Sequence, residues 1–326
     1  MGAGVPHRKA GRIALTLGVA ALAIASVLAP PAVAKKKKIT IVGTSSTAVP
    51  MPPGSVQSTT PRCAKGLHVT GGGFSITPEF NGNGTLTVAD DTGIKALTQV
   101  SYPSSRNTWT ATTSSFAMPS TAGALTGFAR CEHNKLGKVA GTVFGSQALN
   151  PGDSFTLNLP CPSGTHVLSG GYLVDKPFNN TADSSHIFIL GSYRSASNVW
   201  TVSAFSFPNP SFPVSTLTPY AICEKSGSRP ITQVQQSVPL TDNASAAATA
   251  SCSKKHHAVG GGFSFTPVQG PSNVPPVPEV QESAPSGARD WVVHGYDFPF
   301  PSVTPPGTTM SAYAYCRSDS TKKKKK

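Results

Sequence analysis

Charge is scarce in this chain. Asp, Glu, Lys and Arg make up 13% of its 326 residues, and only 14 of them are acids. Paired carboxylates of the kind that cleave glycosidic bonds are correspondingly hard to find. The chain also lacks Gly-x-Ser-x-Gly and His-Glu-x-x-His, so no familiar nucleophile-and-base or zinc-protease spacing points to an enzyme. No long amphipathic helical pattern occurs. After residue 34 no apolar stretch is long enough to span a bilayer, so no transmembrane segment is expected in the mature chain. No cofactor motif is present, and none is expected.

The first 34 residues do carry an apolar run, from Ile13 to Leu28, behind a basic start of His7, Arg8, Lys9 and Arg12. Pro30 and Pro31 break it, and Ala32-Val33-Ala34 offers the small residues of a signal-peptidase site. Residues 1–34 therefore read as a cleavable signal peptide and the protein as secreted or extracellular, with cell-surface association an option. No cysteine follows the run, which removes a lipoprotein attachment. Export makes the six cysteines disulfide material before it makes them metal ligands.

The formal net charge of +13 is a matter of placement. Lys35 to Lys38, Lys322 to Lys326 and three basic residues near the start hold twelve of the 27 Lys and Arg, which leaves fifteen against 14 acids. The body is nearly neutral between two lysine runs, at 35–38 and within a tail at 320–326. Such runs suit adhesion to an anionic wall polymer or envelope polysaccharide and weaken with salt. They offer no surface for specific nucleic-acid readout.

What is abundant is repetition. First cysteines Cys63, Cys161 and Cys252 answer second cysteines Cys131, Cys223 and Cys316. Five residues after each first cysteine stands a histidine: His68, His166 and His257. Small-residue runs follow, Gly71-Gly72-Gly73-Phe74, Ser169-Gly170-Gly171-Tyr172 and Gly260-Gly261-Gly262-Phe263. Ser101, Ser192 and Ser283 each precede a tryptophan by eight residues, and Trp109, Trp200 and Trp291 are all the tryptophans there are. Phe116, Phe207 and Phe298 come seven residues later. Phe128-Ala129, Tyr220-Ala221 and Tyr313-Ala314 stand shortly before the second cysteines. These offsets define three units at 39–134, 135–226 and 227–319.

Short Val, Ile, Phe and Tyr clusters between turn residues predict an all-β fold of three tandem, disulfide-stapled antiparallel units with five or so strands each. They would stand as sandwich-like modules or close into one pseudo-threefold prism or barrel. Short joins without Gly/Ser linkers favour close packing. The repeat selects one pairing of the cysteines: Cys63–Cys131, Cys161–Cys223 and Cys252–Cys316. The tryptophan lies 39 to 46 residues after the first cysteine, against about a dozen in an immunoglobulin domain, which argues for another topology. The glycine runs mark places where a ring or another backbone comes close, with the tryptophan across them. The Ser-Tyr-Pro-Ser segment at 101–104 and its two counterparts read as hairpin turns.

Two sets of side chains are candidates for function. Phe116, Phe207, Tyr220, Phe298 and Tyr313 would form an outward aromatic platform for sugar rings if the core does not take them. His68, His166 and His257 would meet as a weak metal site if the units close about an axis, and otherwise pair within their own units. The expected protein binds or coats rather than catalyses, with weak affinity for carbohydrate or anionic polymer. The other options are a hydrolase confined to the third unit, near Asp290, His294 and Asp297, and a purely structural surface protein.

Overall fold

In the computed structural model the chain divides into two compact units, Met1–Lys37 and Lys38–Lys326. The residues described are 42–78, 95–116, 122–133, 139–179, 186–225, 230–241, 244–266, 277–298 and 308–319, all in the second. Lys35 to Lys38, Lys322 to Lys326 and residues 1–34 lie outside them. Among the described residues every element is a strand, and no helix is long and apolar enough to cross a membrane.

The first sequence unit forms β1 (Val42–Ser45), β2 (Val49–Met51), β3 (Val56–Thr59), β4 (Leu67–Thr77), β5 (Ala96–Ser105), β6 (Thr108–Ser115) and β7 (Gly123–His133). The second forms β8 (Val139–Phe144), β9 (Gln147–Leu149), β10 (Ser154–Pro160), β11 (Thr165–Val174), β12 (Ile187–Ala196), β13 (Val199–Ser206) and β14 (Ser215–Lys225). The third forms β15 (Ile231–Leu240), β16 (Ser245–Ser251), β17 (His256–Thr266), β18 (Val277–Ser286), β19 (Asp290–Phe298) and β20 (Thr308–Ser318). Six or seven strands per unit exceed the five expected, because the strand leading into each unit turns a corner and continues on another sheet.

Those strands make three antiparallel sheets, each drawn from two units. One runs β1-β7-β4-β18-β19-β16, another β3-β6-β5-β11-β14-β8, and the third β10-β13-β12-β17-β20-β15. The exchange is cyclic, first unit to second, second to third, third to first. Each unit occupies a corner of a three-sided body and contributes half a sheet to each adjoining face. The structure is thus the pseudo-threefold prism rather than three independent sandwiches. The seam in each face is short. Phe74 and Ser75 pair with Ser283 and Glu282, Tyr172 and Leu173 with Ser101 and Val100, and Phe263 and Ser264 with Ser192 and Gly191.

The small-residue runs explain how three sheets approach so closely. A Cβ on Gly72, Gly170 or Gly261 would overlap the indole of Trp109, Trp200 or Trp291, so the tryptophan does lie across the run. One residue on, Gly73, Gly171 and Gly262 admit the carbonyl of Ser283, Ser101 or Ser192 from the neighbouring unit. One residue earlier, Gly71 abuts the backbone of Gly260. Each indole is fully buried and donates to the serine eight residues before it, at 3.1, 3.2 and 3.1 Å. A buried donor without that acceptor would cost about 1–3 kcal/mol.

All three disulfides form as the repeat requires. The amides of Cys63, Cys161 and Cys252 donate to the turn carbonyls of Asn107, Asn198 and Arg289, so hairpin and staple hold the same end of the unit. The hairpins themselves differ from expectation. Ser-Tyr-Pro-Ser continues β5 as far as Ser105, and the turn falls at Arg106 and Asn107. Pro103 is accommodated because the ladder shifts register between it and Ser105. A second bulge, between Val69 and Gly71, frees the amide of Val69 to donate to Arg106 O at 2.9 Å, and Val167 and Ala258 repeat this with Ser197 and Ala288.

Candidate functional site

The five predicted aromatic positions do not form one platform. Phe116 and Phe207 pack partly buried on a small apolar cluster of Leu97, Phe178, Phe188, Leu190 and Phe205. There Phe178 touches His186 at 4.3 Å between centroids, and His186 stacks on Phe212 at 4.0 Å. Burial lowers the His186 imidazole to about 4, so it is neutral at physiological pH. The position of Phe298 closes β19, and its side chain lies outside the described residues. Tyr313 is 6% exposed, stacks on Tyr193 at 5.1 Å and shares a hydrogen bond with Ser264 at 3.0 Å.

Tyr220 has the company a platform needs, and two of its partners were not singled out from the sequence. It faces Phe144 in the β14–β8 ladder, with ring centroids 6.0 Å apart. On its other side the Tyr102 ring stands 4.6 Å away. The strand between them, β11, presents Gly171 opposite Tyr220, so no side chain separates the rings. Phe144 is 70% exposed, the most of any large apolar residue described, and both tyrosines are half-buried. Three rings thus cross one sheet face in a row. The corresponding places elsewhere hold Tyr193, Tyr313 and Gln235 on one sheet and Ala284, Phe128 and Ser45 on the other, so the row is complete only once. Phe144 and Tyr102 fall outside the offsets common to all three units, which is why repetition did not reveal them.

The histidines lead to a different cluster. In the strand registers His68 faces Glu132, His166 faces Glu224 and His257 faces Arg317. Those partners each follow a second cysteine directly, and all three are fully buried. The Arg317 guanidinium donates to Glu132 through one terminal nitrogen and to Glu224 through the other. His166 Nε2 lies 3.1 Å from the same Glu224 oxygen, and His257 Nδ1 meets Asp319. Burial lowers the His257 imidazole against the pull of Asp319. Among the described residues no group of three or more His, Cys, Asp and Glu side chains could hold a metal ion. His166 and His257 thus contact carboxylates of their own units.

The acids of the third unit are also apart. Asp290 acts on Arg130 across the interface, where Arg130 donates to Gly287 O; burial brings this guanidinium down to about 10. Along β19 the alternation puts Asp297 with Trp291 and Val293, and His294 on the opposite side. A cleft of about 320 Å³ beside β4 and β8 is lined by His68, Pro103, Arg106, Val139, Thr142 and Ile222.

Fold and surface together define a three-sided, disulfide-stapled all-β protein with an aromatic row on one face. No protein-family model and no curated protein sequence matches the chain.

Proposed function

We propose that this is a secreted, non-enzymatic protein that holds carbohydrate on the Phe144–Tyr220–Tyr102 row. The observation that carries this is Phe144, a phenyl ring 70% exposed yet aligned with two tyrosines across a glycine gap. Flat rings beside phenol hydroxyls suit the apolar face and the rim of a pyranose. The lysine runs supply retention on an anionic envelope, and the signal segment and three disulfides agree with an extracellular site of action. A hydrolase in the third unit has less support, since Asp290 acts on Arg130 and the alternation of β19 parts His294 from Asp297.

The test is retention of the mature protein on insoluble polysaccharides and envelope fractions across a salt series. Wild type is expected to stay bound at high salt, and Phe144→Ala with Tyr220→Ala to lose that fraction. Retention that vanishes with salt in both proteins would leave only the lysines and overturn the aromatic platform.

A further inference from the structure

Twelve residues before each tryptophan stand Leu97, Phe188 and Glu279. These equivalent positions on β5, β12 and β18 line one small cavity together with Ile187, Ile189 and Val280. Its volume is about 10 Å³, room for about one water molecule. Two of the three are apolar, as the surroundings demand, and the third is a carboxyl. Glu279 is 4% exposed, and neither of its oxygens has a hydrogen-bond partner.

The groups facing it are few. Lys95, one residue before β5, is the cation that acts on it, and it makes no hydrogen bond to the carboxyl. From β12 come only Ile187, Phe188 and Ile189, and from β5 Leu97 and Thr98, whose hydroxyl is engaged with that of Thr113. On β19 its register partner is Tyr296, with Asp297 next along the strand. A carboxylate in such a place must find water or a cation, whereas a neutral acid can stay. Burial accordingly raises its pKa well above the ordinary value, only partly opposed by Lys95.

Position gives this a consequence. Glu279 lies just ahead of Glu282 and Ser283, the two residues through which β18 pairs with β4. That pairing closes the third unit onto the first, and the equivalent seams carry Leu97 and Phe188 instead. We propose that Glu279 is a proton-controlled lock on this one seam: neutral, it completes the layer with Leu97 and Phe188, and ionised, it loosens β18 from β4. A carboxyl with a raised folded-state pKa stabilises fully below its unfolded value near 4.5, and that contribution is lost as pH rises toward the folded value. Within that window the opening constant should rise about tenfold per pH unit.

Amide hydrogen exchange on the full mature chain, corrected for the chemical exchange rate, reads this directly. As pH rises from about 4.5 the amides of 74–77 and 279–283 should lose protection steeply in wild type. The seams at 172–173 with 100–101, and at 263–264 with 191–192, should not. Glu279→Gln, or Glu279→Leu should the amide fail to fold, should remove the pH dependence at the first seam. Equal pH dependence at all three seams, or an unchanged profile in the variants, would overturn the lock.

Discussion

A methyl group is too much for the centre of this protein. Gly72, Gly170 and Gly261 give the space of a side chain to an indole, and the residue after each gives it to a neighbour's carbonyl. Gly261→Ala is expected to cost about 1–3 kcal/mol through overpacking, measured by denaturant unfolding. Gly73→Ala should cost at least as much, because the obstacle is the Ser283 carbonyl and backbone does not yield. This contact was legible in the sequence. Glycines recurring at fixed distance from the only tryptophans have few physical explanations. The His186 environment was not, because its stack depends on Phe178 and Phe212, which no common offset tied to it. His186 is held neutral with a pKa of about 4. The unfolded chain takes up its proton first, so the contribution of His186 is complete above about 6.5 and is lost as pH drops toward 4. His186→Phe should remove this acid loss from thermal stability, leaving the loss from His257 and the opposite trend from Glu279.

Among the elements, β7, β14 and β20 end the three units and converge through the residues after their cysteines. Two glutamates and one arginine satisfy one another where three like charges could not. Arg317→Met is expected to destabilise by about 3–5 kcal/mol, the usual result of stripping a buried group of carboxylates of its cation. Glu132→Gln added to Arg317→Met should recover part of that loss in denaturant unfolding, because one carboxylate left without its cation is then removed. The signal was present in the sequence as a charged residue at one fixed place, but Glu, Glu and Arg do not look like a repeat until the strands meet. The Ser-Tyr-Pro-Ser turns failed for a related reason. Serine and proline favour a turn in isolation, yet a bulge lets Pro103 stay in its strand, and bulges leave no mark in composition.

The whole molecule is held by seams of two residue pairs between units, against ladders of up to ten within a sheet half. A unit alone keeps its disulfide and its indole but leaves β11 and β12, or their counterparts, each with one edge unpaired. Residues 135–226 expressed alone are therefore expected to lack a cooperative melt as a monomer, or to gain one only on self-association, as read by size-exclusion chromatography and calorimetry. Each disulfide closes a loop spanning 62 to 68 residues, worth about 4 kcal/mol in chain entropy. Cys161→Ala with Cys223→Ala should lower stability by about that amount. The all-β class and the staples followed from the repeat, which left separate modules and a closed assembly both open. Which strands cross between units did not follow, because a seam of two pairs needs no sequence signature beyond the glycines already explained.

The seam between β4 and β18 joins the beginning of the chain to its end. During synthesis β4 emerges long before β18, and until then one side of it is an open edge with unspent backbone groups. The β18 of another copy would fit that edge as well as its own. At high local concentration late closure therefore invites exchange of third units between chains, giving swapped dimers when the exchange is mutual and open chains of molecules when it is not.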